Sequence, residues 1–537
     1  MSPPPPAGDA HAASPARFGV LAAYCFASFL CAGAWNTLAP IYAIAQERFQ
    51  VSAGAVTLVA LSMFLTYVPG SVLALFLTAR HGLRATLLTG AALQTAMCAL
   101  KWAGVALCAQ PHGAYALLLA GQLLGGLGQP LILNVVARLT MDWCVRLRRN
   151  DATPQRFSAA KRLALSLMPR PTHGVSLRRF PPGERDVATL VGYQASNAGA
   201  MVFNALPAWL VRRPDDLSGL MLLQLLPWLA LLAAMPRLLP SDTPAAAPSA
   251  AAAVQWAARR AAAAALPAGV SPGSAAVAAL RRDLSTLTRH RNFALLAAVF
   301  SLVAGMTWAL PTVEGQLIEP CGYSPRLAGG AGAALLGGGV VSCAAAAPLL
   351  SPGRRGYTAL QRRLVAAAAV ATLLVMAVNR PEQPGAVLLA WGALGCAQGP
   401  LGPVTLEHAA EMTYPMAADS SSAALFIVSN LWSFLQVSIL ARLLAAPESR
   451  TCATSATPTA AFVAACMALG VALAAGLRDE SRRAAAERGD DSEAPGVQEH
   501  GHGGEVGALP DGGGDAPDAP LLTRAEHRNA AAAADAL

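Results

Sequence analysis

The sequence predicts an all-α membrane protein with twelve transmembrane helices arranged as two six-helix halves. The chain has 537 residues, of which 55% are hydrophobic and 13% are charged. Soluble domains carry about 25% charged residues, so this chain has too little polar surface to cover a globule of its size. The same hydrophobicity excludes intrinsic disorder for most of the chain.

The individual helices are predicted from apolar stretches of roughly 20 residues, the length that crosses a bilayer. Backbone amides in hydrocarbon need internal partners, which leaves helices or barrel strands. The runs are continuous rather than alternating, which excludes a barrel. We number the predicted helices 1 to 12 in chain order: 18–45, 55–78, 83–106, 115–140, 187–211, 217–239, 292–317, 327–350, 364–379, 385–405, 419–445 and 458–477.

Composition between the helices predicts the domain organisation. An N-terminal tail (1–17) precedes the first half (18–239), which contains a polar, basic insert at 144–182. An Ala/Pro/Ser-rich linker (240–291), the second half (292–477) and a tail (478–537) follow. The low hydrophobicity of both tails predicts disorder.

The positions of the arginines and lysines predict the orientation. Loops 2–3, 4–5, 6–7 and 8–9 hold most of the basic residues, and the loops on the other side hold few. Because basic loops stay in the cytoplasm, we expect both termini to be cytoplasmic. We expect the plasma membrane, with an organellar membrane as the alternative.

Searches for chemistry-bearing motifs argue against an enzyme. The chain contains no Gly-x-x-x-x-Gly-Lys-Ser/Thr loop for ATP. Its ten cysteines form no CxxC pair, and we interpret most of them as small packing residues. One of nine histidines, His408, lies in or beside a predicted helix. We therefore expect no catalytic site, no metal and no cofactor.

Polar side chains inside predicted helices are candidates for the binding site, since such groups are costly at bilayer depth unless they face the bundle interior. Trp35 in helix 1 and Trp308 in helix 7 place one central tryptophan on the first helix of each half. Pro311 and Glu314 predict a kink just after Trp308. Other polar candidates are Asn36, Gln122, Gln129, Gln194, Asn197, Asn204, Asn430 and Gln436. Aromatic rings and neutral amides suit an ammonium group held by ring faces.

Loops 2–3 and 8–9 suggest an internal repeat. Residues 79–84 read Ala-Arg-His-Gly-Leu-Arg, and residues 352–357 read Pro-Gly-Arg-Arg-Gly-Tyr. The first turn resembles the Gly-x-x-x-Asp-Arg-x-Gly-Arg motif of the major facilitator superfamily, without its acidic residue. The resemblance implies that Arg80 and Arg84 latch the cytoplasmic face.

Several longer stretches resemble the feline leukaemia virus subgroup C receptor family of facilitators. They are Trp35 with 49–53, then 61–69, 82–93, 121–129, 305–312 and 407–415. Members of that family are associated with choline, ethanolamine and haem transport. The resemblance implies that Trp35 and Trp308 hold a cation, and that Gln129, Asn197 and Asn430 bind it or line the cavity. Here the helix 1 run is Ala34-Trp-Asn-Thr37, and a helix 7 tyrosine of the family is replaced by Trp308.

These observations predict a transporter that moves a small organic solute by alternating access between the two halves. An organic cation such as choline or ethanolamine is the expected cargo, and haem is the alternative within the family. A receptor or sensor with the same fold is the alternative from another class; it would use the insert and the C-terminal tail as signalling surfaces. Glu407 and Glu411 are candidate proton-coupling residues. The expected partners are the solute and the lipid bilayer, and no nucleic acid.

Overall fold

The computed structural model describes residues 16–143, 184–243, 272–346, 357–413, 418–446 and 457–480, together with Trp256, Met416, Cys452 and Arg482. Within these ranges the chain consists of helices joined by short connections. The predicted N-terminal tail, insert and C-terminal tail lie wholly or mostly outside the described residues. The observed helices keep the numbers given above.

The first half contains six long helices with two extensions. Helix 1 is Ala16–Gly33, followed by a 3-10 turn at Ala39–Ile41 and an extension at Tyr42–Phe49. Helices 2 and 3 are Ala53–Thr78 and Arg80–Ala106. Helix 4 is Pro111–Leu133, with a continuation at Val136–Trp143. Helices 5 and 6 are Glu184–Leu210 and Leu217–Leu238.

The second half repeats this pattern. A helix within the predicted linker, Pro272–Arg289, leads into helix 7, Arg291–Thr312, which continues at Glu314–Ile318. Helices 8 and 9 are Pro325–Ala346 and Tyr357–Val378. Helix 10 is Pro384–Gln398 with a continuation at Leu401–Thr413, and helices 11 and 12 are Ala418–Ala445 and Pro458–Ala475.

Helices 1, 4, 7 and 10 are each interrupted, and these are the first and fourth helices of the two halves. Proline accompanies every interruption: Pro40, Pro130, Pro311 and Pro400. Proline lacks the backbone N–H that would continue the hydrogen-bond ladder. We predicted helices 1, 4 and 10 as single spans, which was wrong, whereas the kink predicted in helix 7 lies at Val313.

The two halves pack along two seams. Helix 5 packs against helix 8, and the helix 2–3 pair packs against helix 11. Leu61 and Phe64 of helix 2 join the core of the second half. We call the end of the bundle that carries Ala16 and Gly82 the terminal side. The end that carries the helix 1 extension and Glu319 is the opposite side.

The fold is that of an integral, multi-pass membrane protein. Among the described residues, ten helices are long and apolar enough to cross a membrane, and Phe18–Gly33 is a shorter apolar helix. Helix 5 has spanning length, but one face carries amide side chains. Many large apolar residues point outward, as expected for a surface that faces lipid, including Leu65, Leu226 and Leu389.

Candidate functional site in a central cavity

A cavity lies between the two halves at the interrupted parts of helices 1 and 7. It encloses about 750 Å³ of space between atoms, counted with the part that is open to solvent. Its polar and aromatic lining is Trp35, Asn36, Tyr193, Asn197, Phe203, Asn204, Phe300, Thr307, Trp308 and Gln398. No charged side chain is among the lining residues that the structure describes.

Trp35 lies in the non-helical segment that follows helix 1. Its backbone carbonyl accepts a hydrogen bond from the Gln122 side chain at 2.9 Å, and its ring packs edge-on against Phe64 at 5.6 Å. The preceding carbonyl, of Ala34, accepts from the Lys101 ammonium at 2.9 Å. Side chains of helices 3 and 4 therefore satisfy the carbonyls that the helix break leaves free.

Trp308 belongs to an aromatic cluster in the second half. Its ring stacks on Phe426 of helix 11 at 6.4 Å and meets Phe300 edge-on at 6.0 Å. These contacts fix the ring orientation, while the half-buried side chain still lines the cavity. The two predicted tryptophans therefore reach one cavity from the two halves.

Helix 5 supplies the amides of the cavity wall. Asn197 lines the cavity and donates to Gln194 Oε1 at 2.7 Å. Gln194 in turn donates to the carbonyls of Gly339 and Val340 on helix 8. The pair therefore ties the cavity wall to the second half.

A buried amide–carboxyl network closes the cavity toward the opposite side. Asn36 donates to the Pro311 carbonyl at 2.8 Å and to Asn204 Oδ1 at 3.2 Å. Asn204 donates to Glu314 Oε2 at 3.0 Å. Glu314 lies near the end of predicted helix 7, where the sequence favours a capping or snorkelling role, yet the residue is fully buried. Asn204 follows Asn197 by seven residues, two turns on one helix face, so its position on the cavity face was predictable.

Lys101 marks a second, smaller cavity beside Trp35. Lys101 lies near the end of predicted helix 3, where the sequence favours a capping or snorkelling role, yet the residue is only 3% exposed. It lines the second cavity with Trp35, Asn36, Gln122 and Gln316. A cation thus lies on one side of Trp35, and the uncharged central cavity lies on the other.

Two predicted binding residues lie away from the central cavity. Gln129, in the C-terminal turn of helix 4, and Asn430 of helix 11 are not among its lining residues. Asn430 is buried, and its amide donates to the Phe426 carbonyl one turn earlier at 2.8 Å. This hydrogen bond places Asn430 next to Phe426 of the aromatic cluster. Gln129 is half-buried.

Arg84 contacts the end of helix 6, within the first half. Its guanidinium donates to the Leu239 carbonyl at 2.6 Å, and its backbone N–H donates to Asp242 Oδ1 at 2.7 Å. Gly82, at φ 82°, leaves room for the Asp242 carboxylate. Residues 79–84 contain no acidic residue of their own, and Asp242 supplies a carboxylate to this turn from another part of the chain. Arg80 is exposed.

The predicted coupling residues lie on the terminal-side part of helix 10. Glu407 is exposed and Glu411 is buried. His408 stacks on Tyr357 at 6.2 Å and lies 3.5 Å from the Thr358 hydroxyl. None of these three residues lines the central cavity.

On the opposite side, the extensions of helices 1 and 7 meet. Gln316 donates to Thr57 Oγ1 at 2.8 Å, and Tyr42 packs against Gly315. Burial raises the pKa of the Glu319 carboxyl to about 7, and its hydrogen bond to Tyr42 partly offsets this effect. These contacts join the two halves and cover the cavity from that side.

Comparison with known proteins identifies the class to which this architecture corresponds. The model of the Major Facilitator Superfamily matches residues 24–153. The fold is similar to a D-xylose-proton symporter, with a TM-score of 0.58, 12% identity, and 86% of this chain and 97% of that chain covered. It is also similar to the human organic anion transporter MFSD10 (TETRAN), with a TM-score of 0.55, 15% identity, and 86% and 100% covered. The chain has the major facilitator fold.

Two curated proteins are similar in sequence over most of their length. Solute carrier family 49 member A3 of Danio rerio is 22% identical over 435 residues, which cover 81% of this chain and 80% of that protein. The protein of the same name from Xenopus tropicalis is 20% identical over 430 residues, which cover 80% and 78%. The chain is therefore similar to these two proteins over about four fifths of its length.

Proposed function

We propose that this protein transports a small organic cation by alternating access, and that the cation binds in the central cavity between Trp35 and Trp308. The observation that carries the proposal is the shared cavity: one tryptophan from each half lines it, beside Asn197, and the described lining residues include no charged side chain. A solute held by both halves is released when they separate, as alternating access requires. The similarity to solute carrier family 49, which is related to the feline leukaemia virus subgroup C receptors, supports a solute transporter.

The expected affinity suits a transporter. Each ring face contributes about 0.5–2 kcal/mol to cation binding, whereas a millimolar dissociation constant needs about 4 kcal/mol. Two rings with a few amide hydrogen bonds therefore give weak, reversible binding, which lets the cargo leave. Choline and ethanolamine are the cargos that we propose to test first.

Labelled choline uptake into cells that express the chain tests the proposal. We expect uptake to fall in Trp35→Ala and in Trp308→Ala, with roughly 2- to 30-fold weaker binding for each lost ring. Trp209→Ala is the matched control, because Trp209 is 60% exposed and packs under Arg326 outside the cavity. Surface expression must be equal in all variants.

The outcomes separate the alternatives. Wild-type uptake equal to that of the empty vector removes choline as cargo, whereas uptake unchanged in both tryptophan variants removes the aromatic site. Absence of uptake for every solute tested would favour a sensor with this fold. Haem fits the cavity poorly, since the described lining offers no cation for the propionates and His408 lies elsewhere.

Lys101 favours a second cargo class, a small organic anion. Its buried ammonium lines the cavity beside Trp35, and among the described residues it makes a hydrogen bond to a carbonyl rather than an ion pair. An anionic group in that cavity would gain a charge partner. Uptake of a labelled carboxylate that is lost in Lys101→Met but retained in Trp308→Ala would favour the anion over the cation.

A further inference from the structure

Glu314 is a buried acid that the proposed site does not use. It begins the segment that continues helix 7 beyond its break, and its side chain is 0% exposed. Gly332 of helix 8 packs directly against it. A Cβ at this position would overlap Glu314 Oε2 and Asn204 Nδ2. The carboxyl therefore sits in a space that only a glycine leaves open.

The carboxyl has a sparse set of partners. Oε2 accepts one hydrogen bond, from the neutral amide of Asn204, and Oε1 has no hydrogen-bond partner among the described residues. A carboxylate ion needs several donors or a cation to offset the loss of hydration. The neutral acid loses much less hydration on burial and needs fewer partners. The geometry therefore favours the protonated form.

Other titratable groups on the surrounding segments point elsewhere. Tyr42, on the helix 1 extension, is hydrogen-bonded to Glu319. Arg326 of helix 8 lies over the Trp209 ring at 5.1 Å. Tyr193 of helix 5 packs against Gly402, and Lys101 of helix 3 donates to the Ala34 carbonyl. Among the described contacts, none supplies a counter-charge to Glu314.

The Glu314 carboxyl is connected to the cavity through two amides. Asn204 bonds to Glu314 with its nitrogen and to Asn36 with its oxygen, and both asparagines line the central cavity. Asn36 also holds the Pro311 carbonyl at the break of helix 7. A change in the charge of Glu314 therefore acts, through Asn204 and Asn36, on the contact that joins helices 1 and 7.

We propose that Glu314 is a proton-binding site that links pH to the opening of the opposite side. While that side is closed, the carboxyl carries a proton; when the halves separate there, water enters and the O–H bond releases its proton to water, leaving a hydrated carboxylate. Rising pH therefore favours the open form. This deepens the proposed alternating access, but the tests below need no known solute.

Infrared spectroscopy of the purified full-length protein tests the proton itself. All variants carry Glu319→Gln, because Glu319 is a partly buried acid close to Glu314 in the chain. We expect a C=O stretching band of a protonated carboxylic acid that disappears when Glu314→Gln is added. A spectrum in which this band is unchanged would overturn the proposal, since Glu314 would then be ionised. Asp215→Asn, an exposed acid on the opposite side, is the control and leaves the band in place.

Thiol labelling tests the link to opening. Thr57→Cys places a thiol at the buried contact with Gln316, and Cys108 on the same side, partly exposed, serves as the internal reference. We expect labelling of the introduced thiol, relative to that of Cys108, to rise several-fold from acidic to mildly alkaline buffer with Glu314, and to stay flat with Glu314→Gln. An equal rise in both variants would refute the link, whatever the uptake assay shows about cargo.

Discussion

Trp35 and Trp308 illustrate how far single residues can be interpreted from sequence. Both stood out because a central tryptophan recurs on the first helix of each half, and both line the central cavity. Their neighbours were less predictable. Gln122 and Lys101 contact carbonyls around Trp35 and support the broken backbone, a role that no local pattern indicates.

Gly332 gives a prediction at the residue scale. In Gly332→Ala the new Cβ overlaps Asn204 and Glu314, so we expect a loss of roughly 1–3 kcal/mol from overpacking. The measurement is the thermal unfolding midpoint of the purified protein. Gly330→Ala is the control on the same helix, because its Cβ would meet Leu388 at an ordinary 3.6 Å. Equal midpoints in the two variants would show that the space beside Glu314 is not tightly packed.

At the scale of elements, the breaks of helices 1, 4, 7 and 10 are the main feature. The breaks of helices 1 and 7 free backbone carbonyls that side chains from elsewhere in the chain satisfy, as Lys101 does for Ala34 and Asn36 does for Pro311. The prolines allow the breaks to be predicted from the sequence. The partners that stabilise them come from distant parts of the chain, so only the packed bundle shows which polar residues serve the break and which face the cavity.

The contact between loop 2–3 and helix 6 gives a prediction at this scale. Asp242→Ala removes the carboxylate that accepts from the Arg84 N–H, a hydrogen bond to a charged group worth about 1.5–3 kcal/mol. We expect amide hydrogen exchange across residues 80–86 to accelerate roughly 10- to 100-fold in this variant.

Ser241→Ala is the control for that experiment, since Ser241 bonds to Thr243 rather than to the loop. Unchanged exchange in Asp242→Ala would mean that the Arg84 guanidinium, bound to the Leu239 carbonyl, holds the turn without the carboxylate.

At the scale of the whole molecule, a disulfide bears on the orientation. Cys321, after the extension of helix 7, is bonded to Cys452, between helices 11 and 12. The scattered cysteines gave no sign of this pair, and the packing role assigned to most cysteines does not apply to these two. Both lie on the opposite side. Disulfides persist in oxidising compartments, so the predicted cytoplasmic location of the termini requires the opposite side to face such a compartment.

Labelling of intact cells checks this orientation. We expect a membrane-impermeant thiol reagent to label Cys321 and Cys452 only after treatment with an impermeant reductant, and to lose this added labelling in the Cys321→Ser/Cys452→Ser variant. Cys396, which is exposed on the protein surface but within a membrane-spanning helix, should stay unlabelled throughout. Labelling that requires permeabilised cells would place the disulfide side in the cytoplasm and contradict the orientation.

The class of fold follows from the amino-acid sequence alone, because a chain in hydrocarbon needs long apolar helices whose backbone hydrogen bonds are internal. The two tryptophans of the cavity could also be picked out from the sequence, since Trp35 and Trp308 occupy similar positions in the first helix of each half. The tertiary structure decided which polar residues act together. Asn36, Asn204, Glu314 and Gly332 are distant in sequence and meet only where helices 1, 5, 7 and 8 pack. Burial there, rather than any pattern around Glu314, makes its carboxyl a candidate proton site.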